Sequence, residues 1–212
     1  MIAQLPYAAM QTIFQTFQAL NPTPMGELHH TNAYTLLVAV ALSAQATDVG
    51  VNKATKGLFA VADTPARMLV LGEATLIEHI KTIGLFRNKA KNVIRLSQML
   101  IDDYNGHVPS SRAALQRLPG VGRKTAAVVL GNAFGVPAIA ADVHVTRIAH
   151  RLGWTTREHP RDAESALSSR FPPQHWVRLC HQLIRLGRDC CRRLKPRCER
   201  CPVARWCERK GL

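Results

Sequence analysis

Between Asn32 and Gly135 the apolar residues recur at helical spacing, and the segments that carry them are separated by Gly, Pro or Asn. The pattern predicts helices over Ala33 to Ala44, Asp48 to Phe59, Thr64 to Leu71, Ala74 to Thr82 and Asn88 to Tyr104. In the last of these Val93, Leu96, Met99 and Leu100 line one face, as three- and four-residue spacing requires. No run alternates apolar and polar residues as a half-buried strand would, so the predicted fold class is all-α.

The ends of these segments carry local signals. Asn32, Thr47 or Asp48, and Ser110 or Ser111 stand where a short polar side chain can accept hydrogen bonds from the first free N–H groups of a helix. Gly84, Gly106 and Gly135 follow helical stretches, and Pro109, Pro119 and Pro137 prevent their simple continuation. There is no internal repeat of 20 to 50 residues and no low-complexity linker. The longest nearly apolar run, Leu36 to Ala44, is about half the roughly 20 residues needed to cross a bilayer, so it reads as core.

Charge narrows the classes of partner. The 212 residues hold 28 Lys or Arg against 14 acids, a net charge of +14. Such an excess points to a polyanion, with nucleic acid first; a membrane surface would call for a basic amphipathic helix or a lipidation signal, and neither is evident. Half of that charge lies in Arg185 to Leu212, with ten basic and three acidic residues. The first twenty residues lack a positively charged start and a small-residue cleavage site, so they do not read as a secretory signal and a cytoplasmic protein is expected.

In a reducing compartment six cysteines favour metal or redox chemistry over disulfides. Cys191, Cys198, Cys201 and Cys207 form a comb with intervals of six, two and five residues, whereas Cys180 and Cys190 stand apart from it. Four soft donors in so short a stretch, with no apolar core of its own, call for a metal centre. Structural zinc usually takes two close-spaced pairs, and only one C-x2-C occurs; the unequal gaps suit a 4Fe-4S cluster better. Arg192, Arg193, Lys195, Arg197 and Arg200 surround the comb, either offsetting an anionic cluster or presenting the loop to phosphates.

Leu118-Pro119-Gly120-Val121-Gly122-Arg123-Lys124-Thr125-Ala126 sits between two apolar helical stretches and reads as a helix-hairpin-helix turn. Without Cβ atoms, Gly120 and Gly122 permit tight turning and let backbone N–H groups approach a phosphate at the next helix's N-terminus. Such a grip, with Arg123 beside it, reads no base sequence. Neither G-x-G-x-x-G after a strand nor G-x-x-x-x-G-K-[ST] is present, which disfavours a nucleotide-binding loop. Taken alone, Lys124 reads as a phosphate contact, and Asp142, ahead of VHVTRIAHRL, as a helix N-cap.

LPGVGRKTA, the aspartate of AADVHVTR, the cysteine comb, LLVAVALSAQATDVGVNKAT and KTIGLFRNKAKN together resemble the bacterial endonuclease III family, in order and over nearly the whole chain. The resemblance implies two lobes with the active site between them: a six-helix barrel over 24–135 carrying the hairpin, and a cluster lobe from 1–23 plus 136–212. It implies a monomeric base-excision-repair glycosylase and abasic-site lyase acting on double-stranded DNA with oxidised pyrimidines or abasic sites. Lys124 is then the nucleophile, Asp142 its catalytic partner, and a 4Fe-4S cluster the cofactor on the four comb cysteines. Gln45 and Leu85 would fill the gap left by an extruded base, although alone they read as a helix-end polar residue and a core residue. His144 is expected to contact DNA or cover the cleft.

The chemistry suits these residues. A primary amine can stay bonded to C1′ as a Schiff base. A free lysine amine of pKa about 10.4 is only about one-thousandth neutral near pH 7.4, so the site must favour the neutral form of Lys124, through burial between the lobes by desolvation and through nearby cations by like-charge repulsion. A carboxylate can stabilise an oxocarbenium-like sugar and assist proton transfer as the base departs. The competing readings are a non-enzymatic DNA-binding redox module and a mismatch adenine glycosylase. The latter would want a carboxylate on the buried helix, and none lies between Glu27 and Asp48.

Overall fold

The computed structural model describes residues 7–24 and 26–212, and its described residues form ten α-helices and three short 3-10 turns with no strand. The first six residues, which belong to the stretch read as lacking a secretory start and to the lobe expected over 1–23, lie outside them. So does residue 25. The described chain divides into two compact units, one drawn from Met1–Gly26 with Pro137–Leu212 and the other Glu27–Val136.

The contiguous unit holds α2 (Ala33–Leu42), α3 (Asp48–Val61), α4 (Pro65–Ile80), α5 (Phe86–Tyr104), α6 (Arg112–Arg117) and α7 (Arg123–Phe134). Helix α2 is apolar on every side and buried from Tyr34 to Leu42, as expected of a central helix wrapped by its neighbours. Asn32 starts it with a capping box: its side chain accepts from Thr35 N, and the Thr35 hydroxyl accepts from Asn32 N. Thr47, Thr64 and Ser111 cap α3, α4 and α6 in the simpler way.

Helix α4 is broken at Gly72, whose φ of +78° and ψ of 161° are not helical, so its halves match the separate segments Thr64 to Leu71 and Ala74 to Thr82. The stop of α5 differs slightly from expectation: Asn105 takes the left-handed cap at φ +56°, and Gly106 then donates to Leu100 O. Gly135 closes α7 in the left-handed region. The buried Tyr34 hydroxyl and Ser97 hydroxyl meet at 2.6 Å, joining α2 to α5 inside the core.

The discontinuous unit holds α1 (Tyr7–Leu20), α8 (Val143–Arg151), α9 (Pro160–Arg170) and α10 (Trp176–Asp189), followed by the cysteine segment with turns at Cys198–Arg200 and Ala204–Trp206. Met10, Ile13, Phe14 and Phe17 recur at helical spacing on α1 and are buried with Val145, Ile148, Leu179 and Leu183. Phe171 stacks at 5.6 Å from both Phe14 and Trp154 in tilted geometry, a preferred arrangement for aromatic pairs.

Candidate functional site

The hairpin is built as its glycines require. Gly120 has φ +78°, and a Cβ there would lie 3.1 Å from Asn92 Cβ, so both conformation and the close approach of α5 hold it to glycine. Gly122 is different. It is the N-cap of α7 at φ −86°, no side chain caps the helix there, and a Cβ would meet nothing within 4 Å. Neither backbone strain nor internal packing therefore demands glycine at 122, and open space lies in front of it.

Arg123 and Lys124 occupy the first two positions of α7 and are exposed. Of the two effects that would favour a neutral Lys124, burial is not seen at its exposed side chain. The apolar face of α7 turns inward at Ala126, Ala127, Val129 and Leu130, which leaves the first turn on the surface of its unit.

Gln45 and Leu85 are also exposed, and both sit in the left-handed region, at φ 55° and 59°. Leu85 is 57% exposed, so it is no core residue despite its apolar context. A non-glycine residue in this region costs roughly 1 to 3 kcal/mol. A Cβ on Gly84 would lie 3.8 Å from Gln45 O, so the loops bearing the two residues are neighbours. Behind Leu85, Lys89 is buried with no hydrogen-bond partner for Nζ, and burial pushes its ammonium below the usual lysine range.

In the discontinuous unit Asp142 caps α8, its Oδ1 accepting from His144 N at 2.8 Å and Val145 N at 2.9 Å. Its charge is felt by half-buried His181 on α10, whose imidazole burial holds below its ordinary range while Asp142 partly opposes that shift. The ring of His144 lies in the notch left by Gly187, where a Cβ would come 2.5 Å from Nδ1, and this nitrogen is 3.1 Å from Arg147 Nη2. Lys124 belongs to the contiguous unit and Asp142 to the discontinuous one.

Helix α8 also carries two buried arginines that sequence reasoning missed. Arg147 donates to Cys191 O from Nε and Nη2, at 3.2 and 2.9 Å, and to Gly187 O at 3.3 Å. One turn later Arg151 donates to Arg192 O at 2.6 Å, to Arg193 O at 3.0 Å and to Cys191 Sγ at 3.4 Å. The pair fixes the turn that opens the cysteine comb. The available signal was two arginines four residues apart on a helix that Asp142 begins.

Cys191, Cys198, Cys201 and Cys207 line one small cavity with Arg151, Pro196 and Ala204. Burial pushes the Cys201 thiol up to about 12 and raises that of Cys207, so anionic sulfur there needs a positive partner. No three His, Cys, Asp or Glu side chains among the described residues are placed to hold a single metal ion. The shared cavity and the soft donor set fit a polynuclear thiolate-bound centre. Cys190, set apart by its spacing, lines the same cavity and donates to Arg197 O at 3.0 Å, whereas Cys180 is buried among apolar side chains.

Residues 38–173 match the model of the HhH-GPD superfamily of base excision DNA repair proteins. Endonuclease III of Rickettsia conorii (strain ATCC VR-613 / Malish 7) is 48% identical over 196 residues, 92% of this chain and 93% of that protein. Endonuclease III of Escherichia coli (strain K12) is 48% identical over 190 residues, 90% of each chain. A trapped endonuclease III–DNA covalent intermediate in an estranged-adenine complex superposes with a TM-score of 0.92 at 42% identity, covering 97% of both chains. A thermostable thymine-DNA glycosylase gives 0.81 at 26% identity, over 94% of this chain and 95% of that one. By the family model over residues 38–173 and by relatives about half identical over most of its length, the chain belongs to the HhH-GPD superfamily of base excision DNA repair proteins, in its endonuclease III branch.

Proposed function

We propose that the protein excises oxidised pyrimidines from double-stranded DNA and cleaves the strand 3′ to the resulting abasic site, with Lys124 as nucleophile and Asp142 as its carboxylate partner. The observation that carries this reading is an exposed lysine in the first turn of a helix whose glycine N-cap faces open space. A phosphodiester backbone is the partner that such an N-terminus accommodates, and it brings a sugar into reach of a nearby amine.

The Lys124 amine attacks C1′, and the base leaves with the C1′–N bond pair and gains a proton. Asp142 offsets positive charge on the sugar and moves protons as the bond breaks. The secondary amine opens the ring to an imine at C1′. Removal of a C2′ proton then expels the 3′ phosphate by β-elimination, and water hydrolyses the imine to release the enzyme.

Extruding a base costs a few kcal/mol, less when it is damaged. Gln45 and Leu85 are proposed to fill the gap, a role supported by their exposure on neighbouring loops in conformations that an unconstrained residue would leave. Burying a leucine offsets about 1.5 to 3 kcal/mol of that cost. Gly120, Gly122, Arg123 and His144 are proposed to complete the DNA contacts.

The four comb cysteines are proposed to hold a 4Fe-4S cluster, which would supply the cross-link that organises the C-terminal segment. Arg147 and Arg151 hold the turn on which the first ligand stands. The domains follow as a barrel over 24–135 and a cluster domain from 1–23 plus 136–212. The proposed setting is the cytoplasm, as a monomer on chromosomal DNA; no helix among the described residues is long and apolar enough to cross a membrane.

Borohydride reduction during turnover of a duplex containing one thymine glycol tests the assignment. A covalent protein–DNA adduct is expected from the wild type and none from Lys124→Ala. Trapping retained in that variant, or binding without strand cleavage by the wild type, overturns it.

A further inference from the structure

A cavity of about 630 Å³ in the discontinuous unit lies where the end of α1, the outer part of α10 and the cysteine segment meet; it adjoins the cysteine cavity, sharing Cys190 and Arg197 with it, and Asp142 does not line it. Arg192, Arg197 and Arg200 line it, and none of the three side chains has an acidic partner among the described residues. Arg185 lines it too, with Asp189 at 2.6 Å, so the wall carries a net charge of about +3 from four arginines and one aspartate. Phe17, Leu20, Leu186 and Pro202 supply apolar surface beside these cations.

A second, independent feature points to an occupant. Gln182 lines the same cavity and is 3% exposed. Its Nε2 donates to Asn21 O at 3.0 Å, but its Oε1 is buried without a hydrogen-bond partner. A buried amide oxygen left unsatisfied is costly, and native structures rarely keep one without a reason.

An occupant must therefore bring three things at once: several negative charges for the guanidinium groups, an N–H donor for Gln182, and a flat apolar body for the side-chain wall. Inorganic polyphosphate supplies only the first. A DNA backbone supplies charge without a donor. A nucleoside polyphosphate supplies all three, because its exocyclic amino group donates, its base is flat, and its phosphates match the positive wall. The volume lies within the range of about 300 to 1,000 Å³ usual for small-molecule sites.

We propose that this cavity is a binding site for a nucleoside di- or triphosphate, with the phosphates on Arg192, Arg197 and Arg200 and the base amino group on Gln182. It gives the protein a second ligand site beyond the proposed DNA lyase chemistry, and it does not depend on that chemistry.

Isothermal titration of the full-length, cluster-loaded protein with ATP, adenosine and inorganic triphosphate tests the site. One saturable ATP site is expected, with both fragments bound at least about tenfold more weakly because each loses one set of charge-assisted or buried hydrogen bonds. Arg200→Gln should weaken ATP and triphosphate together. Gln182→Leu should weaken ATP alone, with the cluster's visible absorbance and the melting temperature reporting that each variant is folded.

No saturable ATP binding overturns the proposal. So does triphosphate binding as tightly as ATP in the wild type, which would mean unspecific attraction to a basic wall. Displacement of ATP by undamaged duplex DNA, with Arg200→Gln weakening both ligands equally, would make the cavity part of a DNA surface and also overturn it.

Discussion

Gly122 and Gly187 show how one residue type answers to two different demands. At Gly187 a Cβ would lie 2.5 Å from His144 Nδ1 and 2.9 Å from His144 Cβ, and the second of these atoms cannot swing away. Gly187→Ala is expected to cost about 2 kcal/mol, as overpacking of a filled interior does, and calorimetry should show a melting temperature lower by about 4 to 8 °C. At Gly122 a Cβ projects into open space from an ordinary φ, so alanine should change stability by about 1 kcal/mol or less. Fluorescence anisotropy with Gly122→Ala should nonetheless show weaker binding to an abasic duplex by about tenfold, because the added methyl stands where a phosphate must approach. Unchanged DNA affinity would remove the reason offered for this glycine.

These residues also mark what could be seen in the chain and what could not. Gly122 is legible because its neighbours Leu118 to Ala126 spell the whole turn, so the local sequence carries its meaning. Gly187 is illegible because its constraint comes from His144, on another helix. Lys124 was legible as to place but not as to exposure: local pattern says that α7 begins there, but exposure depends on which side of the first turn the rest of the unit covers. Leu85 shows the converse, an apolar residue whose left-handed conformation leaves it outside the core.

Among the elements, α8 joins two proposed roles end to end. Asp142 begins it, and Arg147 and Arg151, buried at one face, hold the backbone of Cys191 to Arg193. Replacing Arg151 by Met keeps the stem but removes bonds to Arg192 O, Arg193 O and Cys191 Sγ. The expected result is loss of about 2 to 4 kcal/mol from this contact and faster bleaching of the cluster's visible absorbance in the presence of an iron chelator. An unchanged bleaching rate would show that the thiolates alone hold the turn. Helix beginnings were readable at Asn32, Ser111 and Asp142 because capping is a contact within four residues. The arginine clamp was not, because it links positions that only the folded chain brings together.

At the scale of the whole molecule, 28 basic residues against 14 acidic ones set how it meets DNA. Phosphate neutralisation releases counterions, so affinity for an undamaged duplex should fall by at least about tenfold between roughly 50 and 200 mM salt. A filter-binding titration at several salt concentrations checks this, and a flat dependence would mean that the basic surface does not meet the backbone. The all-α class and the cysteine comb were readable at this scale, since both rest on periodicity and spacing. The cavity beside α1 was not, because its walls come from widely separated parts of the chain.

The broken continuity of one unit also orders events during synthesis. The stretch Glu27–Val136 can bury its core as soon as it leaves the ribosome, since all of its helices are then present. Helix α1 emerges earlier yet must wait for α8 to α10 before Met10, Ile13, Phe14 and Phe17 have anything to pack against. For most of translation the nascent chain thus carries an uncovered greasy stripe ahead of a finished domain. That makes α1 the natural target for chaperones and proteases, and the closing of the cysteine cavity the last step of maturation rather than the first.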